Sequence, residues 1–498
     1  MLTTVLVFLP LAAALLLWAS PFRTTRQAGA FALLVAAAEL VLWIVAVADF
    51  DYGIAGLQHA TSAVWFGDLG VSYKVGLYDY SLWLIGLTVV GSLAAIGYAV
   101  YAGRERARAY FGLMLFLLGA TVGVFAAQDL LLFYVFFEAM LIPLYVLLGV
   151  WGGANRQGAT IKFLIYTVAG SLLMLVAIVA YGLEADTFDL TQMRESGSTW
   201  IFLGFLAAFA VKAPLWPFHG WLPDAYRQAP PEVAALLSGV ISKTAAYGLL
   251  RIALPSFPEP IADLRTPILV LASIGLVYGS LLAFRQPDFR GVVAYSSLGQ
   301  MNLIMLGLFA FNDSGINGAL VQMVNHGLVS TALFLMAGFV ELRTGTGEFR
   351  LLGGMARGRP VFATMLIALG VIALAVPGSG VFAGEFLILN GVFSVGWGYA
   401  VVGAIAIVLA AMYMLRAISA TLHVDVGGRV DEKVKDLRLP EVAVVLPLLG
   451  ILLLLSFWPA GITDNSFGGE PAASVGDRFE APVAADQPPA PAGTEAAK

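Results

Sequence analysis

Five ionisable side chains stand in stretches otherwise apolar enough to lie in lipid: Glu138, Lys212, Lys243, His326 and Glu385. A charged group at mid-bilayer costs about 2.5–3.5 kcal/mol on insertion scales, so such residues mark ion or proton pathways and need partners. Lysine, glutamate and histidine each bind and release a proton, and the proton affinity of a buried lysine depends on how closely a carboxylate approaches. A row of these types at membrane depth is the chemistry of proton uptake and release driven by changes of distance.

The local wording gives each residue a setting. Glu138 lies mid-helix in DLLLFYVFFEAMLIPLYVLLGVW, where it needs a cation, water or a hydrogen-bonding neighbour helix, and Lys212 is the candidate partner. Lys212 adjoins Pro214 and Pro217, which remove backbone donors and should interrupt the helix. Lys243 lies far from either helix end, with snorkelling as the alternative. Between the two lysines, His219, Asp224, Arg227 and Glu232 form a candidate entrance, with Arg227 and Glu232 as a candidate pair. His326 follows Gln322 and Asn325; a satisfied core histidine and a proton relay both fit. Glu385 follows Pro377-Gly378-Ser379-Gly380, a second expected break. Lys162 reads as interfacial, and Glu39 in the second span is left without a role.

The elements that must position these groups follow from hydropathy. The chain has 498 residues, 60 % hydrophobic and only 12 % charged, about half the charge of a soluble domain. A span needs about 20 apolar residues. Fourteen are expected, near 2–19, 30–50, 79–101, 110–127, 130–150, 160–183, 199–217, 232–251, 266–284, 291–311, 315–340, 361–388, 398–422 and 441–458. The fold class is therefore an all-α integral membrane protein. Breaks in spans 7 and 12 point to two inverted five-helix repeats, spans 4–8 and 9–13. The corresponding boundaries are 1–109 for the first three helices, 110–251 and 266–422 for the repeats, 423–458 for a connector and last helix, and 459–498 for a tail. The first segment reads as a retained helix rather than a cleaved signal, because Pro21 follows the candidate cut.

Cations cluster in alternate loops: Arg23 and Arg26; Arg104, Arg106 and Arg108; Arg156; Arg227; Arg285 and Arg290; Arg343, Arg350, Arg357 and Arg359; and Arg429, Lys433, Lys435 and Arg438. The other loops carry mainly acids. This asymmetry makes the cationic loops cytoplasmic and places both termini outside. The segment 424–440 reads as a solvated connector, and the Pro/Ala-rich acidic stretch from Asp464 as a disordered tail.

The absence of cysteine removes disulfides, iron–sulfur ligation and thiolate metal sites. The four histidines, His59, His219, His326 and His423, lack metal-ligand spacing, and neither dinucleotide nor P-loop glycine patterns occur. A net charge of −5 gives no basic surface for nucleic acid. No cofactor and no metal are expected on this chain.

The runs FFEAMLIPLYVLLGVWG, FAVKAPLWPFHGWLPDAYRQAP, SKTAAYGLLR, VAYSSLGQM, NHGLVSTALF and PGSGVFAGEF resemble the antiporter-like membrane subunits of respiratory complex I, the NADH–quinone oxidoreductase, most closely the M type (chain 4 of the mitochondrial enzyme). The resemblance covers residues from about 126 to 459. It implies fourteen helices in two inverted repeats, a proton half-channel in each, neighbouring antiporter-like chains as partners, and a bacterial inner-membrane location. By it, Glu138 and Lys212 are the coupled pair of the first channel, Lys243 the connecting lysine, His326 a path residue and Glu385 the exit of the second. Flavin, iron–sulfur and quinone sites are implied for other subunits. The chain departs from the family at Gln300 and Tyr226, where histidine is usual, and at Pro231-Glu232, where small residues are usual. A multi-subunit Na+/H+ antiporter or a membrane-bound hydrogenase is the competing assembly.

Overall fold

The computed structural model describes residues 1–467 other than Arg23, Ile54, Ala55, Glu432 and Lys433. The expectations resting on Arg23, on Lys433 and on residues 468–498 of the tail lie outside the described residues.

Six helices come first: α1 (Leu2–Ala19), α2 (Thr25–Asp49), α3 (Asp79–Ala102), α4 (Ala107–Ala126), α5 (Leu130–Trp151) and α6 (Arg156–Ala185). An interrupted segment follows, α7 (Thr199–Lys212) and the short α8 (Leu222–Gln228). Four long helices come next: α9 (Pro231–Ser256), α10 (Pro258–Arg285), α11 (Phe289–Leu308) and α12 (Asp313–Thr344). A second interrupted segment, α13 (Pro360–Ala373) and α14 (Gly380–Val395), precedes α15 (Trp397–Leu422) and α16 (Leu439–Phe457). Among the described residues, 12 of these helices are long and apolar enough to cross a membrane; α7, α13 and α14 are apolar but shorter. The two interruptions fall in spans 7 and 12, where the prolines and glycines lead one to expect them.

One element has no counterpart in the sequence reading. Between α2 and α3, β1 (Gln58–Phe66) and β2 (Val71–Leu77) form an antiparallel hairpin, with Thr61 opposite Val75 and Ala63 opposite Tyr73. The turn closes at Gly70, whose φ of 68° suits a residue without a Cβ. Lys74 of β2 pairs with Asp189 at 2.6 Å, tying the hairpin to the loop after α6.

Burial sorts the helices into an inner and an outer set. The apolar stretches of α9 and α12 are entirely enclosed, whereas that of α2 is only 28 % buried. The enclosed pair also carries many polar side chains, Ser238, Ser242, Lys243 and Thr244 on α9 and Gln322, Asn325, His326 and Ser330 on α12. Polar side chains in lipid-embedded bundles turn inward because only the interior offers them partners. The two helices cross backbone to backbone: a Cβ on Gly239 would lie 2.8 Å from the Gly327 carbonyl, and one on Gly327 would lie 2.6 Å from the Gly239 carbonyl. Small residues at a crossing permit this approach, and it brings Lys243, one turn past Gly239, to His326, which adjoins Gly327.

The loops are more ordered than expected. Arg359 donates to the carbonyls of Val434 at 2.6 Å and Asp431 at 2.7 Å, so the 424–440 connector is packed against the α13 entrance rather than merely solvated. Past α16, Ser466 is buried and Phe467 stacks on Tyr80 with ring centres 5.2 Å apart, so order extends beyond Asp464, where the tail was expected to begin.

Candidate functional site

Each break in the helices exposes backbone groups that have no water to meet at membrane depth. In the first, the Asn302 amide of α11 donates to the Pro214 carbonyl at 3.2 Å and its oxygen accepts from the Trp216 N–H at 3.4 Å. The Trp221 indole donates to the Val211 carbonyl at 2.9 Å. In the second, Asn325 of α12 donates to the Gly380 carbonyl at 3.2 Å, while the Ser379 hydroxyl caps α14 by accepting from Phe382 N–H at 3.1 Å. Ala375 and Gly378 there have φ of 54° and 95°, left-handed conformations that interrupt the helix between α13 and α14. The breaks are thus fixed structures, each buttressed by an asparagine of a neighbouring helix, and each presents an ionisable residue: Lys212 ends α7 and Glu385 lies in the second turn of α14.

Lys212, Lys243, His326 and Glu385 are all buried, with at most 5 % of their surface accessible. Lys243 Nζ lies 2.8 Å from His326 Nδ1 and donates to the Ser238 carbonyl at 2.6 Å. That carbonyl is offset because α9 widens to π-helical turns at Leu237–Ile241 and again at Leu249–Ala253, on either side of Lys243. Such bulges free backbone groups from the regular ladder, and the Ser238 carbonyl then serves the Lys243 side chain and the Ser242 hydroxyl (2.9 Å). Ser238 Oγ in turn meets Ser297 Oγ at 2.8 Å and the hydroxyl of Ser330.

One turn along α12 from His326, on the same face, the Gln322 amide donates to Gln300 Oε1 at 2.6 Å, and Gln300 donates to Glu385 Oε1 at 2.8 Å. Lys243, His326, Gln322, Gln300 and Glu385 thus line up as a polar file through the bundle, hydrogen-bonded from Lys243 to His326 and from Gln322 to Glu385, with one helical turn of α12 between the two pieces. Glu385 Oε2 and Gln322 Oε1 have no protein hydrogen-bond partner. A cavity of about 10 Å³ touches Glu385, Gln300 and Tyr413, room for about one water. Glycines bring α14 this close: a Cβ on Gly384 would lie 2.6 Å from Gln322 Oε1, and one on Gly391 would lie 2.5 Å from the Gly315 backbone.

Lys212 departs from expectation. Its ammonium donates to the Phe137 carbonyl at 3.0 Å and sits 3.3 Å from the centre of the Phe137 ring. Among the described residues it forms no ion pair, so the direct Glu138–Lys212 pair is absent. The reason is the helical wheel. Glu138 is only half-buried and shares its face of α5 with Val135 and Ile142, both exposed, whereas Phe137 points inward.

The candidate entrance disperses. Arg227 pairs with Asp288 at 2.8 Å and bonds Gln286, not Glu232. Glu232 is fully buried and takes two bonds from Arg104, 2.6 and 2.7 Å, and a third from the Tyr110 hydroxyl. Asp224 pairs at the surface with Lys162 at 2.8 Å, in keeping with an interfacial lysine. His219 packs edge-on against Tyr278, with ring centres 5.0 Å apart. Glu39, to which the sequence assigns no role, is fully buried with neither oxygen bonded. It lies on an unbroken helix outside both expected repeats, which gave it no signal. Among the described residues no cluster of histidine, aspartate and glutamate could hold a metal ion.

Interrupted helices buttressed around an interior file of ionisable and amide side chains define a polytopic membrane protein of the ion-translocating type. The chain belongs to the NADH:quinone oxidoreductase/Mrp antiporter transmembrane family, whose model matches residues 127–411. It is 35 % identical over 485 residues to the NADH-quinone oxidoreductase subunit M of Rhodobacter capsulatus, covering 93 % of this chain and 94 % of that one. It is 34 % identical over 535 residues to the subunit M of Mycobacterium tuberculosis, with 98 % and 97 % covered. Its fold superimposes with a TM-score of 0.87 on a chain of respiratory complex I from Thermus thermophilus, at 31 % identity, covering 96 % of this chain and 99 % of that one. A chain of the Mrp complex from Dietzia sp. aligns with a TM-score of 0.84 at 22 % identity, with 96 % and 97 % covered, a likeness of fold alone.

Proposed function

We propose that this chain is a proton-translocating membrane-arm subunit of an NADH:quinone oxidoreductase. The observation that carries the proposal is the buried file from Lys243 through His326, Gln322 and Gln300 to Glu385, in a chain about a third identical over nearly its whole length to subunits M of that enzyme. The competing antiporter assembly shares the family, but its solved chain is only 22 % identical to this one.

In this reading Lys212 holds a proton in the first half and Lys243 connects the halves. His326 relays between Lys243 and the amides of Gln322 and Gln300, and Glu385 is the exit residue. An amide neither gains nor loses a proton at ordinary pH, so Gln300 and Gln322 orient Glu385 and the water beside it rather than carry charge. Glu138 acts on Lys212 through space. Its position on an outward face calls for a neighbouring antiporter-like chain to cover it, since a carboxylate is costly against lipid. Electron transfer occurs on other subunits, and this chain converts their conformational signal into changes of proton affinity. The arginine-rich end of the bundle faces the cytoplasm of a bacterial inner membrane, and both termini lie outside.

The test is Lys212→Ala in the assembled complex, reconstituted in vesicles. Protons moved per electron should fall sharply, with coupled NADH–quinone activity reduced. Unchanged pumping with assembly intact removes Lys212 from the mechanism.

A further inference from the structure

Arg251 ends the run SKTAAYGLLR, which also holds Lys243, and the polar file makes no use of it. It lies about two turns past Lys243 on α9, with Tyr247 midway, at the four-residue spacing that keeps side chains on one face. This end of α9 is the one away from the arginine-rich connections, hence the outer end. Three outer connections converge on the guanidinium. One amino group donates to the Tyr78 hydroxyl at 3.2 Å, to Gln128 Oε1 at 3.0 Å and to the Leu190 carbonyl at 3.0 Å. Tyr78 follows β2, Gln128 lies between α4 and α5, and Leu190 follows α6. These connections are also laced to one another: the Gln128 N–H donates to the Lys74 carbonyl at 2.8 Å, and the Leu190 N–H to the Gln128 carbonyl at 3.0 Å.

All of these partners are neutral, and among the described residues Arg251 forms no ion pair. The acids adjoining two of them are engaged elsewhere: Asp189 with Lys74 at 2.6 Å, and Asp129 with the N–H groups of Leu131 at 2.9 Å and Leu132 at 3.1 Å. Neutral donors would suffice to tie three neutral oxygens together. A half-buried cation with no anion beside it is costly, so its charge calls for a role. The path back towards Lys243 offers no relay. Tyr247 is fully buried, its hydroxyl donates to the Phe125 carbonyl at 2.9 Å, and its ring packs edge-on against Phe125 with centres 5.1 Å apart. A proton at the Lys243–His326 contact therefore has two unequal ways out. One leads past the amides to the Glu385 carboxyl and its water-sized cavity. The other leads along α9 to a fixed positive charge. Eight residues of helix separate Lys243 from Arg251, about 12 Å, and at an effective dielectric constant of about 20 the repulsion between two unit charges there is worth about a tenfold factor.

We propose that Arg251 is the barrier that closes the outer end of α9 to protons. Its charge turns a proton held at Lys243 away from the outside and towards Glu385, as a fixed cation excludes protons from other membrane pores. The inference rests on the translocation reading, since it needs a mobile proton at Lys243. Arg251 touches no proton-carrying group of the file and acts through its field alone.

The experiment measures passive proton leak through the assembled complex in vesicles. No NADH is added, a pH gradient is imposed, and its decay is followed with a trapped dye; assembly is checked on native gels. Arg251→Gln removes the charge but keeps an amide donor at a half-exposed site that water can reach, so the fold should hold. Its protein-dependent leak should rise about tenfold. Arg251→Lys keeps the charge with a different donor geometry and should stay near wild type. Adding Lys243→Ala to Arg251→Gln should make the complex tight again, because the leaking proton passes through Lys243. A tight Arg251→Gln complex overturns the proposal. So does an equal leak in Arg251→Gln and Arg251→Lys, which would make packing rather than charge the seal, or a leak that persists without Lys243. The translocation reading is judged separately, by protons moved per electron in Lys243→Ala. A tight Arg251→Gln complex beside a Lys243→Ala complex that has lost pumping removes the barrier alone.

Discussion

Lys243 Nζ and His326 Nδ1 lie 2.8 Å apart where α9 and α12 cross at Gly239 and Gly327. One proton shared across this contact can be held by the amine or by the imidazole, and the balance shifts with small motions of either helix. The π-helical turns on both sides of Lys243 are where α9 has slack to move. The pair is thus both a proton site and a joint between the most enclosed helices.

His326→Gln keeps an acceptor for Lys243 but cannot be protonated. Proton pumping should fall while the complex assembles normally. His326→Leu should in addition destabilise the subunit by about 1–3 kcal/mol, because the buried lysine loses its partner. Thermal unfolding of the purified complex separates the two effects. Equal pumping in wild type and His326→Gln would show that the histidine only packs.

Gln300→His should be tolerated, since an imidazole N–H can replace the amide that donates to Glu385. Gln300→Leu should lower pumping by leaving Glu385 with no protein donor. Proton-to-electron ratios for both variants check this. Loss of assembly in Gln300→His would mean that the packing around Glu385 admits only an amide.

Glu232 illustrates where the sequence was misleading. It sits five positions from Arg227 in a Pro-rich connection, and the two read as a pair. The chain instead brings in Arg104, 128 positions away, which no local pattern announces. Removing one partner of a buried ion pair costs about 3–5 kcal/mol. Arg104→Ala should therefore sharply reduce the yield of folded subunit, while the double variant Arg104→Ala, Glu232→Gln should recover much of it. A double variant no better than the single would assign the loss to something other than the stranded carboxylate.

Both breaks and the buried ionisable residues Lys212, Lys243, His326 and Glu385 were readable, because each is an exception to a strong rule: prolines and charges do not belong in lipid-spanning helices. Lys243 and Glu385 stood out for that reason. The partners were not readable. Which way Glu138 faces depends on the rotation of α5, and a one-residue turn gives the inward place to Phe137. The hairpin at β1 and β2 lies between two hydrophobic spans whose signal hides a short alternating pattern. The π-helical turns of α9 have no sequence mark beyond Gly239 within the first and Gly248 just before the second. Glu39 needed the packing of α2 to show that it is enclosed without a partner.

Glu138 provides a test of the outward face. Glu138→Gln removes the charge with little change of volume, so folding should be intact, while pumping should drop because Lys212 loses the field of its nearest carboxylate. A structure of the assembled complex should show another chain over Glu138, Val135 and Ile142. Lipid density against Glu138 would contradict the assignment of that face.

The most direct test of the central claim is the proton-to-electron ratio of the reconstituted complex carrying Lys243→Ala, measured beside NADH oxidation by an artificial acceptor. The buried file predicts a clear fall in protons moved per electron with the acceptor activity unchanged. A wild-type ratio in a fully assembled Lys243→Ala complex would contradict it.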